Sequence, residues 1–237
     1  MTVPAPPRRM FPTVMILVTI AALGVVVWFN YYIKYTNDQK KGRLPIKGRV
    51  ETDPGYWVDQ NGTPRQLKEL DGKVVVWSYL YTTCPLGCAF MADQMKELQN
   101  EFGSNPKFQL VSIGLYPEHD RPERLNAWIT TKGFIGDNWW FLTTAGAAES
   151  DGEAARKWVN KSLGMWATRN SAEHIAKNPA DVWTHPQVMV MSDAHGNIRT
   201  PTYNDTFWFP YHETFKGWAP RPIREDIKKL LDEAEKE

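Results

Sequence analysis

Cysteine is nearly absent from this chain, because its 237 residues include only Cys84 and Cys88. At most one disulfide can therefore form within the chain. Repeats and low-complexity tracts are also lacking, so the sequence does not indicate a repeat architecture. The two cysteines nevertheless lie close together, in the stretch YLYTTCPLGCAFMADQM at residues 79–95. This pairing in so cysteine-poor a chain is the first indication of a functional site.

Charge is lacking from residues 10–33, MFPTVMILVTIAALGVVVWFNYYI. At about 1.5 Å per residue, a helix of this length can cross a hydrocarbon core of roughly 30 Å. A cleaved signal peptide is the alternative, because Arg8 and Arg9 could form its basic region. The apolar run is, however, longer than the usual core of about 7–15 residues and lacks a clear cleavage site. We therefore predict one uncleaved transmembrane helix, which makes the protein a single-pass membrane protein that contacts lipid through this segment.

The distribution of charge divides the chain into an N-terminal tail at 1–9, the transmembrane helix at 10–33, a basic linker at 34–49 and a soluble domain at 50–237. The first 33 residues carry +2 and the linker +5, so the total of +1 leaves −6 on the soluble domain. We expect the linker to lie near anionic lipid headgroups, and we expect no nucleic-acid partner. An excess of basic residues in the linker favours a cytoplasmic domain. The redox chemistry of the cysteine pair favours the periplasm or the mitochondrial intermembrane space, and we give it more weight.

The soluble domain alternates between strand and helix patterns. Lys73 to Tyr81 (KVVVWSYLY) is a continuous β-branched and aromatic run, as expected of a strand buried on both faces of a sheet. Further strands are predicted at 108–115 and 139–143, helices near 85–102, 122–131 and 152–163, a hairpin at 188–198 and a closing helix at 223–237. This order predicts an α/β domain with a mixed central sheet.

Cys84 lies where the first long strand gives way to a helix, and Pro85 occupies the position that proline favours at a helix start. On that helix the two cysteines would share one face, and the helix dipole would stabilise a thiolate over a thiol. The pair could hold a soft metal ion when reduced and form a disulfide when oxidised. A small structural disulfide or two buried thiols is the alternative, but so short a loop removes little chain entropy. Met91, on the same helix face, is expected to pack in the core.

Two thiolates do not complete a metal site. Structural zinc prefers four protein ligands, whereas cuprous copper accepts two thiolates and one imidazole. Of the five histidines, His185 in DVWTHPQVMV stands just before a strand, near the expected end of the cysteine-bearing strand. A lone histidine is more often a surface or hydrogen-bonded residue. The remaining histidines lie in loops, a polar helix and an aromatic segment: His119, His174, His195 and His212.

Four blocks of sequence occur in a characteristic order: CPLGC at 84–88, YPEHDRPERL at 116–125, WFLT at 140–143, and His185 with Gly196 in the turn after it. They resemble the Sco/SenC family of membrane-anchored proteins. The resemblance implies a thioredoxin-like fold, copper bound through Cys84, Cys88 and His185, and a role in assembling the copper site of cytochrome c oxidase. The copper-bearing subunit of that oxidase, or another respiratory-complex subunit, is the implied partner.

Three residues depart from the family pattern: Tyr116, Ala89 and Pro186. Pro186 matters most, because THPQVMV also resembles the cis-proline segment of thioredoxin-like oxidoreductases. A membrane-tethered thiol–disulfide oxidoreductase, with Cys84 attacking and Cys88 resolving, is therefore a second hypothesis, and it would make the protein an enzyme. A third is an interaction subunit of a respiratory complex, based on seven aromatic residues in the segment Tyr203 to Trp218. A strap packed on the core explains the same segment.

Overall fold

The computed structural model describes residues 11–40, 42–85, 87–134, 138–202, 205, 207–208 and 223–236. The chain divides into two compact units, residues 1–43 and 44–237. In the first, helix α1 spans Phe11–Lys40. Its stretch Met15–Asn37 is long and apolar enough to cross a membrane, and none of that stretch is buried. A helix of this kind is thus present where the sequence predicted one, and it continues into the basic segment.

The second unit is built on a mixed sheet. Among the described residues, seven strands follow the order β1-β9-β8-β3-β4-β5-β2. The strands are β1 Ile46–Arg49, β2 Trp57–Val58, β3 Val74–Leu80, β4 Phe108–Gly114, β5 Trp139–Thr144, β8 Met189–Ser192 and β9 Asn197–Arg199, and a separate hairpin joins β6 Thr168–Arg169 to β7 Trp183–Thr184. The helices are α2 Cys88–Phe102, α3 Pro122–Lys132, α4 Glu149–Leu163, α5 Ala172–Lys177 and α6 Ile223–Glu235, with a 3-10 turn at Leu67–Leu70. The predicted α/β class with a mixed central sheet is confirmed.

Strand β3 forms the centre of the sheet. All seven of its residues are buried, which explains its continuous apolar sequence. It pairs in parallel with β4 and antiparallel with β8. Two polar side chains of β3 have partners at this depth, since Ser78 Oγ lies 2.8 Å from Ser112 Oγ and Trp77 Nε1 donates to Ser192 Oγ at 3.0 Å. These two buried polar groups are thereby satisfied without breaking the apolar core.

The direction of β8 brings two distant segments together. Ser78, near the end of β3, is paired with Met189, the first residue of β8. Because the two strands run in opposite directions, the residues that precede β8 lie beside the residues that follow β3. The loop at 81–85 and the segment at 185–187 therefore meet at one edge of the sheet.

Two local expectations are corrected. Helix α2 begins at Cys88 with Gly87 as its N-cap, so Pro85 is not its first residue and the two cysteines do not share a helix face. Residues 46–49, which the charge pattern assigned to the linker, form β1 and pair with β9. In the aromatic segment, Trp208 is buried and pairs with Met189, as a strap would. Most of that segment lies outside the described residues.

Candidate metal centre

The first thiol lies in the turn that follows β3. The Cys84 amide donates to the Tyr81 carbonyl at 3.2 Å, which closes a tight turn just beyond the strand. Cys84 is partly exposed, whereas Cys88, at the start of α2, is 1% exposed. The pair thus consists of one accessible thiol and one thiol enclosed by the core.

The third group comes from the opposite segment. The ligand atoms of Cys84, Cys88 and His185 all lie within 4.8 Å of one another. His185 Nε2 is 3.4 Å from Cys88 Sγ, and His185 Nδ1 is 3.2 Å from the Pro186 carbonyl oxygen. The structure therefore brings the three predicted site residues together. Their function as metal ligands stays a prediction.

Two tyrosine rings enclose the imidazole. The rings of Tyr79 and Tyr81 face that of His185 edge-on, with centroids 6.0 and 5.8 Å away. The Tyr81 hydroxyl donates to the Trp183 carbonyl at 3.1 Å, two residues before His185. The Tyr79 hydroxyl is buried and has no hydrogen-bond partner among the described residues. Burial raises the pKa of both phenols, so both stay neutral in the physiological range.

A buried carboxylate holds the loop that carries Cys84. Asp120, which is fully buried, accepts hydrogen bonds from the Thr82 amide at 2.9 Å and the Thr82 hydroxyl at 2.5 Å. The same carboxylate lies 2.8 Å from His119 Nδ1. Its oxygens thus hold Thr82, which lies two residues before Cys84. We expect Asp120 to position the loop that carries this thiol.

Burial raises the pKa of the Cys88 thiol well above its usual range, and the neighbouring Cys84 adds to this increase. Opposing contributions come from the Tyr81 backbone and the Gln187 side chain. The expected stabilisation of a Cys88 thiolate by the helix dipole is therefore outweighed by desolvation. A metal ion that binds this sulfur has to displace its proton.

The other histidines lie apart from the thiols or outside the described residues. His119 bonds to Asp120, and His174 Nε2 lies 2.7 Å from Asp181. His195 belongs to the β8–β9 turn, and His212 lies outside the described residues. The peptide bond before Pro186 is trans, so the cis-proline feature that this segment resembles is not present. Met91 is 1% exposed and packs in the core, as expected.

Four residues that build the site carry no signal of it in the sequence: Asp120, Tyr79, Tyr81 and Gln187. Both tyrosines belong to the apolar run at 73–81, where they were interpreted only as strand residues. Asp120 is part of the block at 116–125, which signalled a family without indicating a contact. Gln187 carried no signal, because a single glutamine at a strand edge is usually solvated.

Comparison with known proteins agrees with this architecture. The SCO1/SenC family model matches residues 54–202. The SCO1 protein homolog of Bacillus subtilis (strain 168) is 27% identical over 157 residues, covering 65% of this chain and 78% of the homolog. Among solved structures, BsSco, a member of the Sco family of cytochrome c oxidase assembly proteins, aligns with a TM-score of 0.60 at 17% identity, covering 81% of this chain and 97% of that one. Copper-bound ScoI of Bradyrhizobium japonicum aligns with a TM-score of 0.55 at 18% identity, covering 79% and 100%.

The fold and the family-model match define a thioredoxin-like protein with paired thiols after its central strand. The chain belongs to the SCO1/SenC family.

Proposed function

We propose that this chain is a membrane-anchored copper chaperone that binds Cu(I) through Cys84, Cys88 and His185 and acts in the assembly of the cytochrome c oxidase copper site. The observation that supports this most directly is the convergence of two sulfurs and one imidazole nitrogen within 4.8 Å. Soft thiolates select cuprous copper, and one imidazole completes a shell of three ligands. Related proteins point the same way, since Bradyrhizobium japonicum ScoI has been solved with copper bound and BsSco is an oxidase assembly protein.

Each ligand has a distinct task in this proposal. Cys84, the more accessible thiol, meets the incoming ion first. Cys88 then releases its proton and encloses the ion from the core side, and His185 Nε2 closes the shell from the opposite segment. Copper is cargo here, because a partly exposed three-ligand site can pass its ion to a partner that offers more ligands.

The test is an anaerobic Cu(I) titration of the protein against a competing chelator, with thiols counted before and after. Cys84→Ser and Cys88→Ser should each abolish tight binding, since a hydroxyl is a poor ligand for Cu(I). His185→Ala should weaken binding and leave two-thiolate coordination. His195→Ala, at the far end of β8, is the matched control and should leave the affinity unchanged. Unchanged affinity in His185→Ala would remove the imidazole from the site.

The proposal also includes an orientation. Helix α1 anchors the protein, and the folded unit faces the periplasm or the mitochondrial intermembrane space, where a thiol pair can alternate between metal binding and a disulfide. The oxidase copper-bearing subunit is the proposed recipient. Fusing a reporter that is active only in the cytoplasm to the C-terminus tests the orientation, and activity of that reporter would defeat it.

Thiol–disulfide exchange is the second candidate, favoured by the proximity of the two sulfurs. Cys84 would attack a partner disulfide, and Cys88 would resolve the mixed disulfide. The raised pKa of the Cys88 thiol opposes this chemistry, because the resolving sulfur has to become a thiolate. Exchange with a model disulfide that is fast in wild type and lost in Cys84→Ser, without Cu(I) binding, would favour the oxidoreductase.

A further inference from the structure

Gln187 contacts the imidazole nitrogen that the proposed metal ion would bind. Its Nε2 lies 3.1 Å from His185 Nε2, and Cys88 Sγ lies 3.4 Å from that nitrogen on another side. The Gln187 side chain also lowers the pKa of the Cys88 thiol, against the larger increase that burial causes. One carboxamide thus contacts the proposed imidazole ligand and influences a proposed thiol ligand.

The tautomer of His185 shows what this contact does. The Pro186 carbonyl, 3.2 Å from Nδ1, can only accept a hydrogen bond, so Nδ1 carries the hydrogen in the neutral ring. Nε2 then presents a lone pair, and the Gln187 amide donates to it. A metal ion binds the neutral imidazole through that same lone pair. The hydrogen bond and the metal bond therefore exclude each other.

Close packing holds Gln187 in place. A Cβ atom on Gly87 would lie 2.7 Å from Gln187 Cδ and 2.8 Å from its Oε1. Gly87 has a φ of −129°, which any residue can adopt, so a Cβ atom at this position would displace the glutamine carboxamide without straining the backbone. Gln187 Oε1 is buried without a hydrogen-bond partner among the described residues. Packing thus places the carboxamide, but only its nitrogen has a hydrogen-bond partner among the described residues. The unpaired oxygen makes it easier for the carboxamide to leave His185 Nε2.

We propose that Gln187 competes with the metal for His185 Nε2, so that its carboxamide has to leave this nitrogen before the imidazole can bind Cu(I). This inference rests on the proposed copper function. It assigns Gln187 as a residue that lowers affinity and eases release, the property that a carrier needs. A neutral hydrogen bond of ordinary net strength corresponds to about a two- to tenfold change in affinity.

The experiment uses the full chain in detergent micelles and two readouts. The first is Cu(I) affinity by chelator competition, under anaerobic conditions at fixed pH. The second is the ¹⁵N chemical shift of the His185 ring nitrogens in the metal-free protein, which reports the hydrogen bond directly. Gln187→Leu removes the donor and adds no atom that binds Cu(I), and Gln94→Leu, on α2, is the matched control.

Gln187→Leu should bind Cu(I) about two- to tenfold more tightly than wild type and should shift the Nε2 resonance. Gly87→Ala displaces the glutamine by its added methyl group, so it should produce the same changes in wild type and no further change in Gln187→Leu. Gln94→Leu should match wild type in both readouts. Circular dichroism of each variant establishes that it is folded.

Equal or weaker Cu(I) binding by folded Gln187→Leu would overturn the inference, because the amide would then not compete with the ion. An Nε2 resonance unchanged by Gln187→Leu would overturn it as well. If wild type binds no Cu(I) through these ligands, the proposed function fails and the competition fails with it. The ring resonances then show separately whether the amide contact exists.

Discussion

The two ends of strand β8 carry polar clusters of opposite character. Before it lies the thiol site, which comprises Cys84, Cys88, His185 and Gln187. After it lies the hairpin network of Asp193, Arg199 and Glu233. In the hairpin network, Arg199 donates to Asp193 at 2.9 Å and to Glu233 at 3.0 Å, and its Nε donates to the Leu44 carbonyl at 2.9 Å.

The difference lies in how completely each cluster is satisfied. Arg199 is 4% exposed and bonded to two carboxylates, as a buried charge must be. In the thiol site the contacts to the imidazole are 3.1–3.4 Å long, and Gln187 Oε1 is unbonded among the described residues. We therefore expect the closed cluster to stabilise the fold and the open one to accept a ligand. Substitutions in the hairpin network should therefore change mainly stability, and substitutions in the thiol site should change mainly Cu(I) binding.

Arg199→Met should give the largest loss of stability. It removes the cation that Asp193 and Glu233 share and leaves Asp193 buried without it, so we expect a decrease of about 3–5 kcal/mol in the free energy of unfolding. Chemical unfolding followed by tryptophan fluorescence measures the loss. Cu(I) affinity of the remaining folded protein should be unchanged, and a loss of affinity as large as that of His185→Ala would remove the contrast between the two ends.

Asp120→Ala should affect both stability and binding, because Asp120 is buried like the hairpin network but holds the loop of the thiol site. Unpairing the Thr82 amide and hydroxyl should cost about 1–3 kcal/mol in unfolding free energy. Cu(I) binding should weaken, since the Cys84 turn loses its support. Thr82→Val removes only the hydroxyl donor and should have a smaller effect of the same kind. Full Cu(I) affinity in folded Asp120→Ala would contradict a positioning role.

Tyr81→Phe and Tyr79→Phe form a matched pair, because each keeps a ring against His185 and removes one hydroxyl. The Tyr81 hydroxyl is bonded to the Trp183 carbonyl, so its loss should cost about 0.5–1.5 kcal/mol. The Tyr79 hydroxyl is buried without a partner among the described residues, so its removal should be neutral or stabilising. Thermal unfolding compares the two variants. A larger loss in Tyr79→Phe would show that its hydroxyl has a partner after all.

The features of the thiol site that follow from runs of neighbouring residues could be predicted from the sequence. The apolar run of β3 located a buried strand, and the position of Cys84 directly after it located the edge where the site forms. The helix start was predicted wrongly, because Pro85 is a strong local signal whereas the packing of Gly87 against Gln187 is a contact between distant segments. Strand β1 was missed for the same reason, since its pairing with β9 has no signature in a basic, glycine-containing segment.

The proximity of His185 to the thiols could be expected from strand order and family resemblance, but its contacts could not. Nothing in THPQ shows that the glutamine turns back toward the imidazole. The ion pairs of the hairpin network could not be predicted either. Arg199 and Glu233 are 34 residues apart and were not considered as a pair. Long-range contacts decide which polar group is satisfied, and they carry no local pattern.

The smallest expected effect is an acid dependence that belongs to the hairpin network. Burial alone would raise the pKa of Asp193, but hydrogen bonds from Arg199 and Asn197 lower it below its usual value. The unfolded chain therefore binds this proton at higher pH than the folded protein does. The stabilisation from Asp193 is fully present above the unfolded pKa of about 3.9 and is lost as pH falls through the lower folded value.

Unfolding free energies measured from pH 6 down to pH 3 should fall less steeply in Asp193→Asn than in wild type, although the variant is less stable at neutral pH. The effect is modest because Glu233 still pairs with Arg199 when Asp193 is protonated. Equal slopes in the two proteins would mean that the carboxylate gains nothing from its partners, and the hairpin network would then be no more strongly bonded than the thiol site.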